Sequence, residues 1–221
     1  LRLSRGLGDV YKRQLIFCIP YLSYSNFRIK PRKGFSILFI LIISTIILLN
    51  FSLLTVIGTL LLIATLLIKN KKIYPYFYGS SFTLLNFEIF NTLNLNIFDF
   101  FLNYLFPISL VSGVFSSMMI GHWFLVDPTI SKEGMKKIAI TSTFQSLILT
   151  PLVFFEFIGQ DIESIFKNVI LILFLSTSIL SFASYKSLGE KSYTGVMAST
   201  GLSYLSLIVS LGASGGLLLL S

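Results

Sequence analysis

The sequence predicts an all-α protein: a polytopic transmembrane helical bundle of about seven spans, or eight if a truncated helix precedes them. Three observations carry this. Of 221 residues, 54% are apolar and only 12% are charged, against roughly a quarter charged in soluble domains. Several apolar runs approach or exceed the ~18 to 20 residues that cross a hydrocarbon core. Lys and Arg gather at residues 28–33, 69–72, 132–137 and 186–191, with apolar sequence for two crossings between successive clusters. Short basic loops stay cytoplasmic. The clusters therefore orient the chain in a bacterial cytoplasmic (inner) membrane, with the C-terminus outside.

Residues 1–14, LRLSRGLGDVYKRQ, have no apolar period, cap signal or initiator Met. They resemble the translated sequencing-adapter read-through found at the ends of gene models from environmental assemblies, which would make them an artefact. The plain alternative is a basic, disordered arm. The run LIFCIPYLSYSNF that follows is too short to span, holds Pro20, and reads as the tail of a truncated helix. The single transmembrane domain then covers residues 15–221.

Residues 35–68 form an apolar stretch of 34, too long for one ordinary crossing at about 1.5 Å per residue. Both flanks are basic, so one crossing would place a cluster on the wrong side. Two short helices, 35–50 and 52–68, with a turn near Asn50-Phe51-Ser52, satisfy the charge rule. The third span, 75–92, opens on Tyr74, Tyr76 and Tyr78, an interfacial aromatic belt, and carries Glu88 toward its outer end.

The fourth span, 102–126, ends at Asp127-Pro128, where Asp127 suits the N-cap of a short cytoplasmic turn. The fifth, 136–158, contains Pro151 and is expected to kink near Leu147. The sixth and seventh cover 164–184 and 194–220. Asp99, Glu156, Asp161 and Glu163 then fall outside, with Lys167 the clear basic residue there.

The formal charge of +8 becomes +5 without residues 1–14, thirteen basic against eight acidic residues. No basic stripe with interleaved aromatics lies outside the loops, so the expected partner is the lipid bilayer and its anionic headgroups, not nucleic acid. The lone Cys18 excludes an internal disulfide and a Cys-based metal site within one chain.

In the fourth span Ser109, Gly113, Ser117 and Gly121 recur every four residues, a ridge of small side chains that lets helix backbones approach. Gly195-Ser199-Ser203 and Gly212-Gly216 repeat the style in the seventh. The structural meaning is tight packing within the bundle; the functional one is a homodimer seam or a thin-walled groove. In the fifth span Ser142, Ser146 and Thr150, with Thr141 and Gln145, form a polar face that must point inward, since lipid offers it no partner.

The only histidine, His122, follows the ridge, with Met118 and Met119 one turn before it and Asp127 five residues after. Three readings compete for it. It is an interfacial side chain bonded to a neighbour beside Trp123, or a haem or copper ligand whose remaining ligands come from elsewhere. The third is a proton-relay or quinone-contacting residue, a role to which an imidazole side chain is suited. HExxH, Walker and GxGxxG motifs are missing from the spans, and a catalytic triad or zinc site would have to be built from His122 alone, which argues against a hydrolase.

The run Met119-Ile120-Gly121-His122-Trp123-Phe124-Leu125-Val126-Asp127-Pro128 resembles a GHWYLV-P segment of uncharacterised bacterial polytopic membrane proteins, with Phe124 in place of Tyr. The segment 196–204, VMASTGLSY, is similar to the last helix of the same group. The resemblance implies a like topology and transfers no ligand or reaction. The functional expectations are a non-catalytic subunit or scaffold of a membrane assembly, respiratory in one version, packing against a partner subunit or a second copy. Beside it stand a small-solute or ion transporter with a polar path past Gln145 and His122, and a haem- or quinone-binding redox protein centred on His122.

Overall fold

The computed structural model describes residues 52–67, 73–93, 96–190 and 192–220, with a few helical positions between 34 and 45. Among these residues every regular element is helical, and four helices are long and apolar enough to cross a membrane. The doubtful arm, the truncated helix, Cys18 and most of the expected first span lie outside the described residues.

Helix α1 (Leu53–Leu67) opens at Ser52. The Ser52 hydroxyl accepts from the Thr55 amide at 3.2 Å and its carbonyl from the Val56 amide at 3.0 Å, an N-cap that starts α1 at the position expected for its first residue. With 15 residues α1 is shorter than an ordinary crossing. Helix α2 (Tyr74–Leu93) lies against it, the Ser81 hydroxyl donating to the Gly58 carbonyl at 2.7 Å and Leu62 meeting Leu85 in the same buried cluster. This helix is long enough to span, but its Ser, Thr, Asn and Glu88 dilute its hydropathy, and it is not among the four.

Helix α3 (Ile97–Val126) starts earlier than the expected 102 because Asn96 caps it, the side-chain Oδ1 accepting from the Asp99 amide at 2.8 Å. Phe100–Leu105 is π-helical and Phe106–Val126 α-helical. The wide turn sits just ahead of Pro107, which has no N–H to return to the Asn103 carbonyl, so the α ladder loses little there.

Helix α4 (Glu133–Phe154) ends before the expected 158. Pro151 removes one amide from its last turn, and a Schellman closure finishes it: Glu156 N–H reaches Val153 O at 3.2 Å and Phe157 N–H reaches Leu152 O at 3.0 Å. Glu156 takes the left-handed position (φ 60°) that glycine usually fills. Helices α5 (Ser164–Ser187) and α6 (Tyr193–Leu220) complete the chain.

Each of α3 to α6 packs on the next and α6 returns to α3, closing an antiparallel four-helix ring. Buried positions step by three and four: Leu110, Val114, Ser117, Gly121 and Phe124 on α3, and Ile170, Phe174, Thr177, Ser181 and Ser184 on α5. On α6 the same steps carry Ser199, Ser203, Ser206 and Ser210. A period of about 3.5 is the seam of a left-handed bundle. The outer face is the apolar one, with Ile172, Leu175, Ile179 and Phe182 of α5 exposed. Hydroxyls inside and large apolar side chains outside invert the order of a soluble protein and suit lipid as the solvent.

The ring's ends differ in charge. Lys132 Nζ, just before α4, donates to the carbonyls of Glu190 at 2.9 Å and Ser192 at 3.2 Å, so the third and fourth basic clusters share one end. At the other end Lys167 donates to Glu156 at 2.6 Å.

Candidate functional site

The polar interior of the ring is built from short side chains facing across helix seams. On α3, Ser109 receives the Gln145 amide of α4 and donates to its own Phe106 carbonyl at 2.9 Å. Further along, Ser117 meets Ser203 of α6 at 3.4 Å. On α4, Ser146 donates to the Phe174 carbonyl of α5 at 2.6 Å, and the Thr143 carbonyl accepts from Ser178 at 3.3 Å. Between α5 and α6, Ser181 meets Ser206 at 3.0 Å, while Ser184 meets Ser199 at 2.7 Å and Ser203 at 3.3 Å. Near the far end Ser214 of α6 donates to the Pro107 carbonyl at 3.0 Å. Among the described residues, the buried polar side chains of the four helices are Ser, Thr and Gln, with no carboxylate, Lys, Arg or His.

The small-residue ridge divides in two. Ser109, Gly113, Ser117 and Gly121 all face the seams, and Gly121 is the tightest point: a Cβ there would collide with the Thr200 hydroxyl and lie 2.9 Å from Met135 Cε. Gly212 and Gly216 are different. A Cβ on either would sit 3.5 Å from α5 side chains (Leu173 and Ile170), ordinary contact that does not demand glycine.

A cavity of about 10 Å³ opens where the four helices meet, lined chiefly by Ser117, Ser142, Ser181, Ser184, Ser203 and Ser206. Ser142, Gln145 and Ser146 of the polar face predicted on α4 are buried and Thr150 is half-buried, whereas Thr141 is exposed.

His122 stands apart from this interior. It is exposed on α3, while Met118, one turn before it, is buried. It also lies about 20 Å along the helix from Ser109 and Gln145, at 1.5 Å per residue. The structure therefore does not bring His122 and Gln145 to one place. Trp123 is half-buried, its ring close to Gly34. Asp127 ends α3 and is buried, its Oδ1 accepting the Thr129 hydroxyl at 2.6 Å and the Thr129 amide at 3.3 Å. It caps a turn, as its position predicts, though as the last residue of α3's ladder and not as the start of a helix. Among the described residues no three His, Cys, Asp or Glu side chains gather to hold a metal.

Sequence reasoning missed the α5 contribution, Ser178, Ser181 and Ser184. Its signal was present as a three-residue spacing of hydroxyls in LSTSILSFAS. No protein-family profile, curated protein or solved structure matches the chain, so the resemblance of the 119–128 run rests on its own residues.

Proposed function

We propose that the chain is a non-catalytic subunit or scaffold of a bacterial cytoplasmic-membrane assembly. In this reading it crosses about seven times, with its basic ends cytoplasmic and its C-terminus outside. The observation that carries it is the way the interior hydroxyls are used. Most bond to a hydroxyl or carbonyl of the neighbouring helix, which is how helices are held together where lipid removes the hydrophobic incentive. Such a ring presents a largely apolar outer face to a neighbour. The test is native electrophoresis of membranes solubilised in mild detergent. Migration in one discrete complex larger than a homodimer is expected, and migration only as a monomer or homodimer refutes the assembly.

A second reading, a small-solute or ion transporter, draws on the polar contact between α3 and α4, where the Gln145 amide meets the Ser109 hydroxyl. Solute uptake into proteoliposomes that is lost in Gln145→Leu supports it. Uptake unchanged by that substitution removes the path.

A further inference from the structure

The serine-lined cavity contains one group whose bonding is unfinished. Ser142 is 1% exposed and its hydroxyl has no hydrogen-bond partner in the protein. A serine inside a helix usually returns its proton to the carbonyl four residues back, as Ser116 does to Ser112 at 2.7 Å and Thr143 does to Ala139 at 2.8 Å. Ser142 does not, and it lines the cavity instead. A buried hydroxyl left without a partner is destabilising.

We propose that the cavity is a binding site for a single water molecule, which accepts from Ser142 and bridges α4 to the serines of α3, α5 and α6. Three features of the site agree. Its volume of about 10 Å³ is near the smallest space that admits one water and leaves no room for a second. The surrounding hydroxyls keep unused lone pairs, since each has two and the contacts between them are few. Two of those contacts are also long, Ser117 to Ser203 at 3.4 Å and Ser184 to Ser203 at 3.3 Å. A water here finds the two to four polar partners that a buried water needs.

The lining also selects against a cation. Its side chains are hydroxyls with Val114 and Ala139, and no carboxylate faces it. A sodium or potassium ion would exchange its hydration shell for neutral dipoles alone in a low-dielectric site. Water carries no such penalty and can both donate and accept. It links α4 to α6 across the bundle, a diagonal that the direct bonds described above leave uncrossed.

The experiment uses the full chain in lipid nanodiscs. Water-edited solid-state NMR of the unsubstituted protein is expected to show rapid magnetisation transfer from water to the Ser142 and Ser203 signals. Absence of transfer there overturns the proposal without any substitution. Ser142→Ala is then compared with the parent by thermal unfolding. A bridging water predicts a midpoint lowered by several degrees and loss of the transfer at Ser203. A dry cavity predicts an unchanged or raised midpoint, because an unbonded hydroxyl has been removed, and that result refutes the site. A midpoint raised by sodium or potassium over choline, and only when Ser142 is present, reassigns the site to a cation and equally overturns the water.

Discussion

Ser184 on α5 and Ser199 on α6 share a hydrogen bond of 2.7 Å, fully buried between two helices whose outer faces are apolar. Ser184 also approaches Ser203 at 3.3 Å and the Ser199 carbonyl at 3.3 Å, so one hydroxyl joins three groups of the neighbouring helix. Membrane hydroxyl bonds average about 0.6 kcal/mol, and the strongest reach about 1.7. With three contacts, Ser184 belongs at the upper end.

Ser184→Ala is therefore expected to destabilise the bundle by about 1–2 kcal/mol. Ser184→Leu should cost more, because it adds volume to a packed seam as well as removing the bond. Unfolding in mixed micelles measures both. A Ser184→Ala protein as stable as the parent would mean that the Ser184 hydroxyl adds nothing to the α5–α6 seam beyond packing.

Gly121 and Gly212 give opposite expectations for the same change. A Cβ at Gly121 meets Thr200 and Met135, side chains themselves held in the seam. Gly121→Ala should cost about 1–3 kcal/mol, the usual range for overpacking. Gly212→Ala meets Leu173 Cδ1 at 3.5 Å, so it fits, and relief of glycine's helix penalty should add up to about 1 kcal/mol of stability. Equal effects at the two sites would contradict this division of the glycines.

The pair of Glu156 and Lys167 predicts a pH dependence with a definite sign. The hydrogen bond from Lys167, and then its charge, hold the Glu156 carboxyl below its ordinary range. A carboxylate whose pKa is depressed by folding contributes stability that is present above the unfolded value and lost as pH falls through the folded one. Unfolding midpoints should thus fall on acidification through the carboxylate range, by less in Glu156→Gln and by less at high salt, since the pair is exposed. An identical acid profile in Glu156→Gln would assign the dependence to other carboxylates.

Much of this architecture was readable because membrane helices announce themselves by length, and four of the expected spans reappear as α3 to α6. Boundaries failed where a local device decided them. Asn96 pulled the start of α3 into what reads as an outer loop, and the Schellman turn at Glu156 cut α4 short. The packing seam was only half legible, for a physical reason. When both lipid and core are apolar, hydrophobic periodicity no longer separates inside from outside, and the period survives only in the small and polar residues. It was visible in Ser109, Gly113, Ser117 and Gly121, and overlooked in Ser181 and Ser184. The cavity at Ser142 could not be foreseen, because it depends on four helices meeting in one register.

His122 separates the scaffold reading from a redox centre. It is exposed on α3 and belongs to neither buried cluster, so its replacement removes little packing. His122→Ala is expected to unfold within about 0.5 kcal/mol of the parent, as surface substitutions do. It should also leave the absorption spectrum of the purified protein unchanged. If His122 is an axial ligand, the parent carries an intense Soret band that His122→Ala weakens or shifts, and the loss of a bound group that favours the folded state lowers the unfolding midpoint as well. Spectrum and midpoint moving together would overturn the scaffold reading in favour of a haem centre. A flat spectrum and an unmoved midpoint would return His122 to the interfacial role that its exposure gives it.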